Sequence, residues 1–152
     1  MLVGMNQKQT DEYNENQCKQ IADELEKVVD GERYVCPHCG GIVEVVVDHC
    51  KEVCVDCLGE VDTEDYSSEN YAEQASLYDY FTDGIYGEHY VVDSENNVEG
   101  AIFMVACGGP NIWIDSWEEV VRLSWWFDKA SYPLSTSVVA ELNKFAEELR
   151  NC

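Results

Sequence analysis

CPHCGG at residues 36–41 and CVDCLGE at residues 54–60 decide how this chain is read: each holds a Cys-x-x-Cys pair, and 14 residues separate the pairs. Two cysteines spaced by two residues fold a tight turn that points both thiolates at one ion. Two such turns brought together by a β-hairpin make the tetrahedral sulfur cage that Zn²⁺ prefers. The spacing therefore predicts a zinc ribbon over residues 34–66, with Cys36, Cys39, Cys54 and Cys57 as ligands. Four thiolates leave no coordination position open, so the zinc is expected to be structural. His38, His49 and Cys50 are near enough in sequence to replace one ligand, although His38, inside a knuckle, is expected to point away from the ion. Gly40-Gly41 and Gly59 fit a need for φ > 0 just after each turn.

Outward from the knuckles, IVEVVVDH at 42–49 is rich in β-branched residues and reads as one strand, returning through Lys51–Val55. Upstream, Cys18, Ile21, Ala22, Leu25, Val28 and Val29 follow helical spacing. They predict an amphipathic helix over Asp11–Asp30, ended by Gly31, within an N-terminal segment of residues 1–33 whose first dozen residues are polar and frayed. Downstream, DTEDYSSE at 62–69 is polar and aperiodic, a linker to a third segment at 67–152. There Ser67 or Ser68 caps a helix carrying Tyr71, Ala75, Tyr78 and Phe81 on one side, stopped by Asp83-Gly84. Four strands follow: Gly87–Asp93, Gly100–Cys107, Asn111–Asp115 and Val120–Phe127. Turns at Ser94–Asn97, Gly108–Pro110 and Ser116–Glu119 separate them. Pro133 and Ser135–Ser137 open a last helix bearing Val138, Leu142, Phe145 and Leu149. The fold class is α+β: an N-terminal helix, a zinc ribbon hairpin, then a four-stranded antiparallel meander with helices packed on one face.

Composition narrows the function. The 152 residues carry 31 acidic and 9 basic side chains, a formal charge of −22, spread along the whole chain. Such a field repels nucleic acid and anionic lipid and draws in strongly basic surfaces. Aromatic content of 11% argues for a folded chain, since acidic disordered chains are poor in aromatics. No apolar run reaches 18 residues, so no membrane span is expected. The opening MLVGMNQKQTDEYN lacks a basic region followed by an apolar stretch, which points to the cytoplasm, where cysteines stay reduced and bind metal. Cys18, Cys107 and Cys152 read as ordinary thiols.

Catalytic patterns are sparse. Nucleobase deaminases need His-x-Glu and metalloproteases need HExxH, and neither occurs. A Ser-His-Asp site would rest on His89 in GEHYVV, a position that alternates with strand residues. Gly108-Gly109-Pro110 lacks the Lys-Ser/Thr of a phosphate loop and reads as a turn. The chain is therefore expected not to be an enzyme. Two features mark candidate binding surfaces instead. Glu44, Asp48, Glu52, Asp56 and Glu60 recur on one parity of the ribbon and would share a face of a hairpin. Trp113, Trp117, Trp125, Trp126 and Tyr132 fall within 20 residues, with Trp113 and Trp117 the candidate anchors and Trp125 and Trp126 on opposite sides of one strand.

Residues 36–60 are similar to the zinc ribbon superfamily. Most ribbons work beside nucleic acid with basic flanks, whereas here Arg33 and Lys51 are the only bases of the segment. The second half, above all LYDYFTDG at 77–84 and MVACGGPNIWIDSWEEVVRLSWW at 104–126, resembles small acidic proteins of phages and mobile elements, among them zinc-containing type II-A anti-CRISPR inhibitors. That resemblance implies a stoichiometric inhibitor in the host bacterial cytoplasm. Its partner would be a type II CRISPR-Cas effector nuclease, blocked from loading target DNA without direct binding of nucleic acid by the inhibitor. It carries over no catalytic residue. An antitoxin or zinc-ribbon adaptor that neutralises another basic protein is the alternative.

Overall fold

A capping box opens the first helix. In the computed structural model, which describes residues 6–82 and 84–152, α1 spans Gln7–Val29. The Asn6 side chain accepts the Gln9 N–H at 2.9 Å, and the Gln9 side chain accepts the Asn6 N–H at 3.1 Å. The helix thus starts ahead of the expected Asp11, and the supposedly frayed residues from Gln7 on are its first turns. Its buried stripe is Thr10, Asn14, Cys18, Ala22, Leu25 and Val28. The first two members are polar, so hydrophobic spacing does not reveal them. At the other end Gly31, at φ 77°, donates to the Val28 carbonyl, and the Glu32 N–H reaches the Lys27 carbonyl. This left-handed glycine stop is the one the sequence predicts.

The contacts of the chain gather into two units, Met1–Glu26 with Asp83–Cys152, and Lys27–Thr82. This partition differs from the three segments 1–33, 34–66 and 67–152. Most of α1 goes with the C-terminal part: Gln7 donates to Asp128 at 2.9 Å, and the Lys19 ammonium lies 5.8 Å from the Tyr132 ring centre.

The Lys27–Thr82 unit, inner only in that its sequence is inserted within the other's, is built from very short strands: β1 (Tyr34–Val35), β2 (Ile42–Val43), β3 (Val45–Asp48), β4 (Lys51–Cys54) and β5 (Glu73–Gln74), followed by α2 (Leu77–Tyr80). β1 pairs antiparallel with β2 on one side and β5 on the other, while β3 and β4 form a separate hairpin. The single strand expected over 42–49 is therefore split at Glu44, because its halves serve different sheets. Val43, Val61 and Ala72 pack with Cys36 and Cys54 into a small core flanked by Tyr34 and Val45. DTEDYSSE is no free linker. Asp62 exchanges backbone bonds with Asn70 and Ala72, and its carboxylate accepts the N–H groups of Glu64 and Asp65. The helix expected from Ser67 or Ser68 is reduced to one turn capped by Ser76 and Asp79. β1 has an open side, and recruiting Glu73–Gln74 as a strand there outcompetes helix for that stretch. The stop expected at Asp83-Gly84 lies partly outside the described residues.

The outer unit holds β6 (Gly87–Val92), β7 (Val98–Ala106), β8 (Asn111–Asp115), β9 (Val120–Trp125) and β10 (Asp128–Pro133), then α3 (Thr136–Arg150). They form an antiparallel meander in the order β10-β9-β8-β7-β6, five strands where four are expected. The predicted Val120–Phe127 strand stops at Trp125, turns through Trp126 and Phe127, and continues as the polar strand β10. Register places Phe103, Ile114, Val121 and Tyr132 side by side on one face. Phe145 of α3 meets Phe103 there, with ring centres 5.8 Å apart, so α3 covers that face as expected, while Lys19 of α1 lies 5.8 Å from the ring of Tyr132 on the edge strand β10. The opposite face carries the row Met104, Trp113, Arg122 and Ser131.

α3 is fastened to the sheet by Ser116, which is 3% exposed. Its hydroxyl accepts the Ala101 N–H at 2.8 Å and lies 2.6 Å from the Asn143 side-chain oxygen. Removing it strands a buried backbone donor and an acceptor together. Ser116→Ala is expected to lower stability by about 1–3 kcal/mol, read as a shift in the urea midpoint at unchanged slope.

Candidate metal centre

Each Cys-x-x-Cys folds into the same knuckle. The Cys36 N–H reaches the Gly41 carbonyl and the Gly40 N–H returns to the Cys36 carbonyl. In the second knuckle the Cys54 N–H reaches Gly59 and the Leu58 N–H returns to Cys54. Backbone donors also point at sulfur: the His38 N–H lies 3.4 Å from Cys36 Sγ and the Cys57 N–H 3.5 Å from Cys54 Sγ. The left-handed residue after each turn is Gly40 at φ 74° and Leu58 at φ 61°. Gly59, expected to take that role, has another. A Cβ there would stand 2.7 Å from Cδ2 of His38. The bare Cα lets the His38 ring lie across the second knuckle and donate from Nε2 to the Glu60 carbonyl at 2.7 Å. His38 is thus a strap between the two knuckles. The signal for it in the sequence is a glycine at the one place where a ring must pass.

The four sulfurs converge within 4.8 Å of one another. Cys36 and Cys57 are 3.8 Å apart and Cys39 and Cys54 4.0 Å. A tetrahedron with metal–sulfur bonds of about 2.3 Å has edges of about 3.8 Å. The clustered cysteines are compatible with a four-coordinate metal ion. His49 and Cys50 stand outside the cluster, exposed at the β3–β4 turn with φ of 50° and 65°. The His49 ring meets Asp48, at 2.7 Å.

In the thiol form the four groups divide. Burial pushes the Cys36 thiol up, but N–H donors from Cys39 and His38 and the adjoining Cys39 and Cys57 thiols outweigh it and bring it down to about 7. The Gly59 N–H favours the Cys57 thiolate, yet burial and three neighbouring thiols prevail and push it up to about 11. Cys39 is likewise raised: the Gly41 N–H lowers it, and the Cys36 thiol, burial and Cys54 more than compensate. Four thiols cannot all ionise at this range without a cation between them.

The acidic residues of the ribbon do not form one face. Pairing of Val47 with Glu52 and of Asp48 with Lys51 puts Asp48 and Glu52 on opposite sides of the hairpin. Glu52 is half-buried and accepts the Thr63 N–H and hydroxyl at 2.9 and 2.8 Å, a structural use. Glu44, Asp48, Asp56 and Glu60 are exposed, with Glu60 3.3 Å from the Lys51 ammonium. In the outer unit Trp113 is half-buried with the Arg122 guanidinium 5.5 Å from its ring centre, and Arg122 pairs at 3.0 Å with the buried Asp115. Trp117 is half exposed over Gly100, where a Cβ would come within 2.8 Å of it. Trp125 and Trp126 are not opposite members of one strand, because Trp126 sits in the turn.

The chain matches no known protein family, no curated protein and no solved structure. Among the described residues no helix is long and apolar enough to cross a membrane.

Two outcomes follow for the cage. Cys36→Ser or Cys57→Ser is expected to lose bound metal and amide-exchange protection across 34–61, while Cys50→Ser keeps both. Metal uptake releases thiol protons, so affinity is expected to fall as pH is lowered, measurable by competition with a chromogenic chelator.

Proposed function

We propose that this chain is a zinc-stabilised acidic protein that inhibits by occupancy. It docks on the basic surface of a DNA-handling protein and keeps DNA out, and a type II CRISPR-Cas effector nuclease is the target proposed. The observation that carries the reading is the formal charge of −22 on a folded scaffold. The metal site supports it from the other side. A cage of four thiolates is closed, and a closed cage holds a fold together and leaves no position for substrate or activated water. Soft thiolates in tetrahedral array suit zinc, with iron the chemical competitor.

The surface offers charge in the right form. Glu44, Asp48, Asp56 and Glu60 are exposed on the inner unit, and Asp11, Glu12, Glu15 and Glu26 are exposed along α1. A nuclease that loads DNA into a channel of Lys and Arg attracts such a body for the reason it attracts phosphates. Binding of this kind is long-ranged and salt-sensitive, and inhibition follows from occupying the path without any bond being made or broken.

Freshly purified protein is expected to hold one zinc per chain and no visible absorption. Titrated into a guide-loaded type II effector nuclease, it is expected to abolish target-DNA binding near a 1:1 ratio, with affinity falling steeply as salt rises. Inactivation far below equimolar ratio, or direct binding of DNA by the chain itself, overturns the reading.

A further inference from the structure

The β9–β10 hairpin ends in a two-residue loop, since Trp125 and Asp128 are its last pair. Two-residue hairpin loops need φ > 0 at their first position, and Gly, Asn or Asp normally supply it. This loop is Trp126-Phe127. Trp126 takes φ 57°, a conformation that is an outlier for a bulky side chain. The chain has Asn available for such a place and uses it elsewhere: Asn96 takes φ 68° in the turn between β6 and β7. Strain of this kind persists where the surrounding structure holds it, as at Leu58 in the knuckle, or where function selects it.

The side chains explain what is selected. Trp126 is 75% exposed and Phe127 99% exposed, the most exposed large apolar residue described. Neither fills a core. They stand adjacent at a hairpin tip whose base is tied to α1, because Asp128 accepts the Gln7 amide. A projecting Trp-Phe pair is a knob, and aromatic knobs that enter a pocket carry a large share of binding energy per residue.

Charge decides the pocket's owner. A second copy brings another −22 and two side chains of area, far below the roughly 800 Å² per partner of a stable interface. Anionic lipid repels the chain as DNA does. A cationic protein surface attracts it and brings the tip to contact. We infer that Trp126 and Phe127 are the apolar anchor of this protein, seated in an apolar pocket within the basic surface that its charge seeks. The inference rests on the acidic-inhibitor reading and adds what charge alone lacks: a short-range contact that fixes one orientation and slows release.

The test is the double variant Trp126→Asn/Phe127→Gly, which installs a favourable hairpin turn and removes both rings. Metal-loaded wild type and variant are compared by thermal melting, by calorimetric binding to guide-loaded type II effector nuclease at two salt concentrations, and by sedimentation with phosphatidylcholine vesicles. The expected result is a melting midpoint no lower than wild type, binding weakened at least tenfold, and an unchanged salt slope. Equal binding by the two proteins overturns the anchor and leaves the acidic reading standing. A wild type that fails to bind at low salt overturns that reading and the anchor with it. A midpoint lowered by more than a few degrees assigns the rings to folding, and vesicle binding lost in the variant assigns them to a membrane; either result overturns the proposal.

Discussion

Four cysteine sulfurs brought within 4.8 Å of one another, a range at which thiolates repel unless a cation sits among them, are the constraint around which the inner unit is built. Its strands are two to four residues long, and its core is a handful of small side chains gathered around Cys36 and Cys54. So small an apolar core contributes little against the entropy of ordering the segment, and a metal ion held by the four cysteines would add folding free energy there. Everything local serves the cage: left-handed Gly40 and Leu58 close the knuckles, backbone donors face sulfur, and His38 straps one turn to the other across Gly59.

The outer unit solves the same problem with ordinary means. Five strands, a helix on Phe103 and a serine that ties α3 to β7 make a core of packed side chains. On both units the surface is acidic. Self-repulsion works against each fold, and the buried Asp115 is neutralised by one of the few bases, the partly exposed Arg122, whose guanidinium also lies over Trp113.

Much of this was legible in the sequence where chemistry is tied to spacing. The clustering of Cys36, Cys39, Cys54 and Cys57, the α+β class, the glycine stop of α1, the strand cores of the meander and the cap of α3 follow from spacing and turn residues. The misses share one cause. Each is a place where a residue type appears outside its usual environment. Thr10 and Asn14 are polar yet buried, which hid the first turns of α1. Trp126 and Phe127 are apolar yet form a turn, which hid the fifth strand. Glu73 and Gln74 are exposed and poor strand formers, drawn into a sheet only by the open side of β1. The acidic parity on the ribbon failed differently: it assumed one uninterrupted hairpin, and the turn at His49-Cys50 reverses which parity faces which side.

The chain passes from α1 into the metal-binding unit and only afterwards into the sheet that α1 contacts. Gln7 and Asp128 are 121 residues apart. Until residues 27–82 condense, joining these ends means closing a long, loose loop, an entropic cost that a compact insert reduces. Condensation of this insert would therefore act as a timing device, setting how soon the first helix finds a sheet that is made after it.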